Sequence, residues 1–98
     1  MKVLCECILP DGSLVRVEDW SEDYSCCPYG SMIGAYPRKY GRVRAEAQFE
    51  NHTQTLEAFE KLSQGKVTIF DVNFTVMRCG GYRVPITEVI DRNKGVLI

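Results

Sequence analysis

KVTIFDVNFTVMRCGGYRVPITEVI, residues 66–90, is the stretch that most clearly specifies its own structure. Phe70, Val72, Phe74 and Val76 alternate with Asp71, Asn73 and Thr75, the period-two pattern of a strand with one buried and one wet face. Beyond Gly80-Gly81 a second β-rich run carries Tyr82, Val84, Ile86 and Ile90 on one side. A two-residue loop would oppose Val76 to Pro85 and put the two apolar sets on opposite faces. A three-residue loop, Cys79-Gly80-Gly81, pairs Val76 with Val84, Phe74 with Ile86 and Phe70 with Ile90. A one-residue slip flips every side chain, so the second register is expected, with a bulge at a glycine.

The segment before this hairpin predicts the one helix. Asn51 or Thr53 caps it, Asn51 with Gln54 resembles a capping box, and Gly65 stops it. Leu56, Ala58, Phe59 and Leu62 form its apolar stripe, opposite Glu57, Glu60 and Lys61. Three turns do not stand alone, so the stripe must dock on a sheet. Upstream, 31–36 and 42–50 read as a hairpin with Ala35 opposite Val43 and Ile33 opposite Ala45. At the N-terminus, Lys2 to Leu9 and Leu14 to Glu18 form another hairpin around Pro10-Asp11-Gly12-Ser13, with Val15 and Val17 inward. Val3, Cys5, Cys7 and Leu9 share a face of the first strand. Residues 91–95 read as a turn and 96–98 as a short last strand. The order ββββαββ(β) predicts an α+β fold: a mostly antiparallel sheet of six to seven strands with one helix on a face.

Ninety-eight residues form one domain, 1–98, able to bury a core without staples. Net charge is −1, which excludes a global pull toward nucleic acid or an anionic membrane. No apolar run approaches the ~18 residues of a membrane span, and the N-terminus lacks a signal-peptide pattern, so a cytoplasmic chain with no membrane partner is expected. Five cysteines, an odd number, fit reduced thiols better than a disulfide framework.

Each candidate chemistry has a plainer reading beside it. Cys5, Cys7, Cys26, Cys27, Cys79 and His52 are soft ligands, but C-x-C and C-C lack the spacing of zinc knuckles. Cys5 and Cys7 behave as small hydrophobes. A thiol site using Cys26, Cys27 or Cys79 with His52 has no local sequence to assemble it. Glu18, Asp19, Glu22 and Asp23 read as solvated acids rather than a catalytic pair. No catalytic residue, metal or cofactor is therefore assigned.

Charge distribution is more informative. Arg38, Lys39, Arg42 and Arg44 gather four of the twelve basic residues, interleaved with Tyr36 and Tyr40. That mixture suits phosphate contact and base stacking. Asp19, Trp20, Glu22, Asp23 and Tyr24 form the opposite: acids around two aromatics, the composition of a protein interface. The expectation is a small non-enzymatic module that binds another protein, in a regulatory or inhibitory role. A nucleic-acid accessory protein using 36–44 is the alternative, and a cysteine-based zinc or thiol site a weaker one. A symmetric homodimer through the C-terminal edge strand, or a patch beside it, is also expected.

Overall fold

In the computed structural model of the chain, residues 1–22, 30–38, 43–77 and 83–88 are described. They form six strands: β1 (Lys2–Ile8), β2 (Leu14–Asp19), β3 (Ser31–Tyr36), β4 (Ala45–Phe49), β5 (Thr75–Met77) and β6 (Arg83–Pro85). One antiparallel sheet holds them in chain order, and helix α1 (His52–Ser63), between β4 and β5, packs on one face. The fold is α+β, as the alternation predicts.

Local chemistry sets the first turns. Asp11 accepts from the Ser13 N–H at 2.8 Å and Gly12 takes a φ of +88°, so the β1–β2 turn closes as composition predicts. Val15, Val17, Ile33, Ala35, Ala45 and Ala47 then alternate onto the helix face, all buried. Leu62, Ile69, Phe74, Val76 and Ile86 complete the core from α1 and the C-terminal hairpin. Asn51 caps the helix, its side chain accepting from the Gln54 N–H at 2.9 Å.

The register of the β5–β6 hairpin is the one the apolar pattern requires. Val76 opposes Val84, and the Ile86 N–H donates to the Phe74 carbonyl at 3.0 Å. The strands are much shorter than alternation implies. Residues 69–73 are a turn rather than the start of a strand, and Phe70, expected in the core, is 46% exposed while Ile69 is buried. The cause is Thr68-Ile69-Phe70-Asp71. The Asp71 carboxylate accepts from the Thr68 N–H at 2.7 Å and its hydroxyl at 3.0 Å, and the Asp71 N–H returns to the Thr68 carbonyl. This capping-box wiring outcompetes the ladder. Ile90, the expected partner of Phe70, lies outside the described residues, as do the 79–81 loop, the 91–95 turn and the 96–98 strand.

Three further expectations are corrected. Ala35 opposes Ala45 and Ile33 opposes Ala47, two residues from the expected register. Alternation cannot detect a slip of two, which preserves faces; here it sets Tyr36 beside Arg44, which donates to its hydroxyl. Leu56 is 44% exposed, and the inward stripe is Thr55, Ala58, Phe59 and Leu62. Buried Thr55 bonds Ser31 and the Asn51 carbonyl, and that polar anchor turns the helix away from Leu56. Finally, a register shift between Val3 and Cys5 sets Val3 opposite Glu18 while Cys5 opposes Val17, so Val3 leaves the face that Cys5 and Cys7 share.

Candidate functional site

The face of the sheet opposite α1 carries a polar network that begins at Glu18. Its side chain is fully buried, not solvated as its acidic neighbourhood implied. Glu18 Oε1 accepts from Trp20 Nε1 at 2.9 Å and Arg44 Nη2 at 2.7 Å, and Oε2 accepts from Arg16 Nη2 at 3.1 Å. The carboxylate lies over Gly34, where a Cβ would stand 2.8 Å from Glu18 Cδ. Only a glycine leaves room for it.

Tyr36 extends the network. Its hydroxyl accepts from Arg16 Nη2 and from Arg44 Nε, each at 3.2 Å, and both guanidinium carbons lie near its ring, at 5.2 and 5.9 Å from the centroid. Burial alone would lower the Arg44 pKa. The Tyr36 hydroxyl and the Glu18 and Glu46 carboxylates outweigh it and hold the guanidinium above its ordinary value. Glu46 also pairs with Arg83.

The sequence candidates are thus redistributed. Of the basic tip, Tyr36 and Arg44 belong to this network, Arg38 is exposed, and Lys39, Tyr40 and Arg42 lie outside the described residues. Of the acidic loop, Trp20 is half-buried with its indole committed to Glu18, Glu22 is exposed, and Asp23 and Tyr24 lie outside the described residues. Asp19 is half-buried. Ser21 donates to it, with lesser help from His52 and Lys2, and holds its carboxyl below the usual range. Cys26, Cys27 and Cys79 also lie outside the described residues. Cys5 and Cys7 are half-buried, and burial, then the neighbouring Cys5, pushes the Cys7 thiol up. Among the described residues no group of three or more His, Cys, Asp or Glu is placed to hold a metal ion.

Asp19, His52 and Ser31 stand in a line that invites comparison with a hydrolase triad. His52 Nδ1 is 2.6 Å from Ser31 Oγ, and Nε2 is 3.8 Å from Asp19. The wiring runs the wrong way for catalysis. Thr55 Oγ1 donates to the Asn51 carbonyl, so Ser31 Oγ donates to Thr55 at 2.6 Å and His52 Nδ1 must donate to Ser31. A donating imidazole cannot take the serine proton, and Ser31 is fully buried. The cluster ties the start of α1 to β3.

A second region is open. β5 pairs with β4 only at Ala45 and Glu46, so the far side of Ala47, Gln48 and Phe49 faces no strand among the described residues. The Thr68–Asp71 turn carries the chain away from that edge. What remains is a cavity of about 620 Å³ between β4, the helix positions Gln54, Glu57, Ala58 and Lys61, and the turn around Val72. Sequence reading missed it by extending β5 through residues 70–74, which would have filled the gap. Thr68-x-x-Asp71 was the available signal.

Comparison with known proteins finds no matching family model, no matching characterised protein and no matching solved structure. Among the described residues no helix is long and apolar enough to cross a membrane.

Proposed function

We propose that this chain is a protein-binding module that takes an extended peptide segment into the gap beside β4, by strand addition. The observation that carries the reading is the edge of Ala47–Phe49, left without a strand partner among the described residues and lining a cavity of about 620 Å³. An unpaired strand edge presents backbone donors and acceptors to any extended chain, and proteins cover or charge such edges unless they use them. Three residues at ~3.4 Å each accommodate a strand of about 10 Å. The start of β5 blocks one end, so the incoming segment is short. Ala47 and Ala58 leave space for its side chains, and the polar rim of Gln54, Glu57 and Lys61 is that of a reversible interface. The acidic loop is less suited to the role than its composition implied, because the Trp20 indole is committed to Glu18.

The test is selection of short peptides from a random library, followed by two controls on those that bind. Methylating alternate peptide nitrogens should abolish binding, since strand addition depends on the backbone. Gln54→Trp, a change at an exposed groove residue, should block the site while leaving thermal unfolding unchanged. Peptides indifferent to both changes would refute the proposal. Binding to mixed oligonucleotides that fades steeply with salt would favour the nucleic-acid reading instead.

A further inference from the structure

The sheet face opposite α1 ends in a second cavity, of about 530 Å³, where the β1–β2 turn meets the end of β3 and the approach to β4. Leu14, Pro37 and Val43 give it an apolar wall, and its polar groups are Tyr36, Arg38 and Arg44. These groups share one property: they offer hydrogens that find no acceptor among the described residues. The Tyr36 hydroxyl oxygen accepts from Arg16 and Arg44, and its own hydrogen has no acceptor among the described residues. Arg38 is exposed and makes no hydrogen bond or ion pair with a described residue. Arg44 spends Nε on Tyr36 and Nη2 on Glu18, while Nη1 comes no closer than 3.8 Å to Glu46.

The acids nearby are already engaged. Glu18 accepts from three donors, Glu46 pairs with Arg83, and Asp11 accepts from the Ser13 N–H. Gly12 makes the approach feasible, because a Cβ there would stand 3.2 Å from Arg38 Cδ and crowd the stem of that side chain. An arginine laid across a glycine turn, a phenol hydrogen and a partly spent guanidinium around an apolar wall complement one kind of ligand.

We infer that this cavity binds a small molecule with a single anionic head, a carboxylate or phosphate, on an apolar or aromatic body. The head takes the Tyr36 hydroxyl hydrogen and the Arg38 guanidinium, with Arg44 adding charge, and the body lies against Leu14 and Val43. Tyr36 is fixed by two arginines before any ligand arrives, so little ordering is needed on binding. The site lies apart from the β4 groove and shares no lining residue with it, so either can fail without the other.

Benzoate, phenyl phosphate and benzyl alcohol, titrated into the full chain at constant ionic strength and followed by amide chemical shifts, test the inference. Benzoate or phenyl phosphate should shift residues 12–14, 36–38 and 43–44, and the ratio of their affinities identifies the preferred head. Benzyl alcohol, which keeps the body and lacks the charge, should bind at least about tenfold more weakly. Arg38→Gln and Tyr36→Phe should each weaken the better anion about tenfold or more, what losing one charge-assisted hydrogen bond produces. Lys66→Gln, which removes an exposed cation lining neither cavity, should leave the anion affinity unchanged. Arg38 is exposed, so its replacement keeps the test valid even if Tyr36→Phe disturbs folding. Absence of binding by both anions at millimolar concentration, equal binding of benzyl alcohol, or an unchanged affinity in Arg38→Gln overturns the inference.

Discussion

Gly34→Ala is the sharpest probe of the Glu18 network. The new Cβ would stand 2.8 Å from Glu18 Cδ and closer still to Oε2, so the carboxylate must leave its place. Moving it breaks contacts to Trp20 Nε1, Arg44 Nη2 and Arg16 Nη2 together. Disrupting a buried ion pair costs about 3–5 kcal/mol. Arg16 and Arg44 keep 23% and 36% of their side chains exposed, so water recovers part of that, leaving roughly 2–4 kcal/mol. Gly34 does not have a positive φ, so alanine also gains about 0.5–1 kcal/mol from a stiffer unfolded chain. The expected net loss is about 1.5–3 kcal/mol.

Urea unfolding followed by tryptophan fluorescence measures this directly, because Trp20 is the chain's one tryptophan and its indole reports on Glu18. Emission of folded Gly34→Ala should shift as that hydrogen bond is lost. In a Glu18→Ala background the carboxylate is absent, and Gly34→Ala should be neutral or slightly stabilising. Equal cost in both backgrounds, or a loss under about 0.5 kcal/mol with unchanged emission, would refute the account of why residue 34 is glycine.

Other expectations are briefer. Phe74→Ala should cost about 3–5 kcal/mol, the usual range for a buried ring, whereas Phe70→Ala should cost under about 1 kcal/mol; comparable losses in denaturant titrations would restore the longer strand. The Thr68 backbone N–H, then its side chain, holds the Asp71 carboxyl below its ordinary value, so the turn's contribution is present above the unfolded pKa and lost as pH falls through the folded one. An NMR titration placing Asp71 at or above an ordinary aspartate would contradict that wiring. Burial, then Cys5, raises the Cys7 thiol, so mass-mapped labelling near neutral pH should find Cys7 slower than a free cysteine. Reaction at the free rate would mean the face carrying Cys7 is open.

The architecture was legible because alternation is a strong signal wherever one face is buried. Val15, Val17, Ile33 and Ala35 needed only their period to be placed, and the β5–β6 register followed from matching two apolar sets. What escaped depended on polar groups finding each other. Val15-Arg16-Val17-Glu18 correctly points Glu18 away from the helix, but nothing local says that face is buried. Its partner Arg16 lies two residues back on the same face, whereas Arg44 lies 26 residues away. The glycine inside Ser31-Met32-Ile33-Gly34-Ala35-Tyr36 was the neglected sign, since glycine within a strand marks a close approach. Thr55 taking the inward position from Leu56 is the same lesson on the helix.

The gap beside β4 follows from one of these polar choices, and it can be removed by reversing it. The pairing Ala45–Val76 and Glu46–Thr75, if continued, would bring Phe74 opposite Ala47, Asn73 opposite Gln48 and Val72 opposite Phe49. Residues 72–74 have the alternation for it. What holds them off is the Asp71 carboxylate on Thr68, since the turn it closes bends the chain just before those residues reach the edge. Replacing both ends of that contact, Thr68→Val with Asp71→Val, removes the capping bonds and adds two β-branched residues, so the strand should extend and fill the groove. Amide exchange reports the change. In the native chain at least one N–H among Ala47, Gln48 and Phe49 should exchange quickly for want of a partner, and in the double variant it should become protected. Peptide binding should disappear at the same time, with stability retained. If all three amides are already as protected as those of β3, the edge is not open, and the binding reading loses its basis.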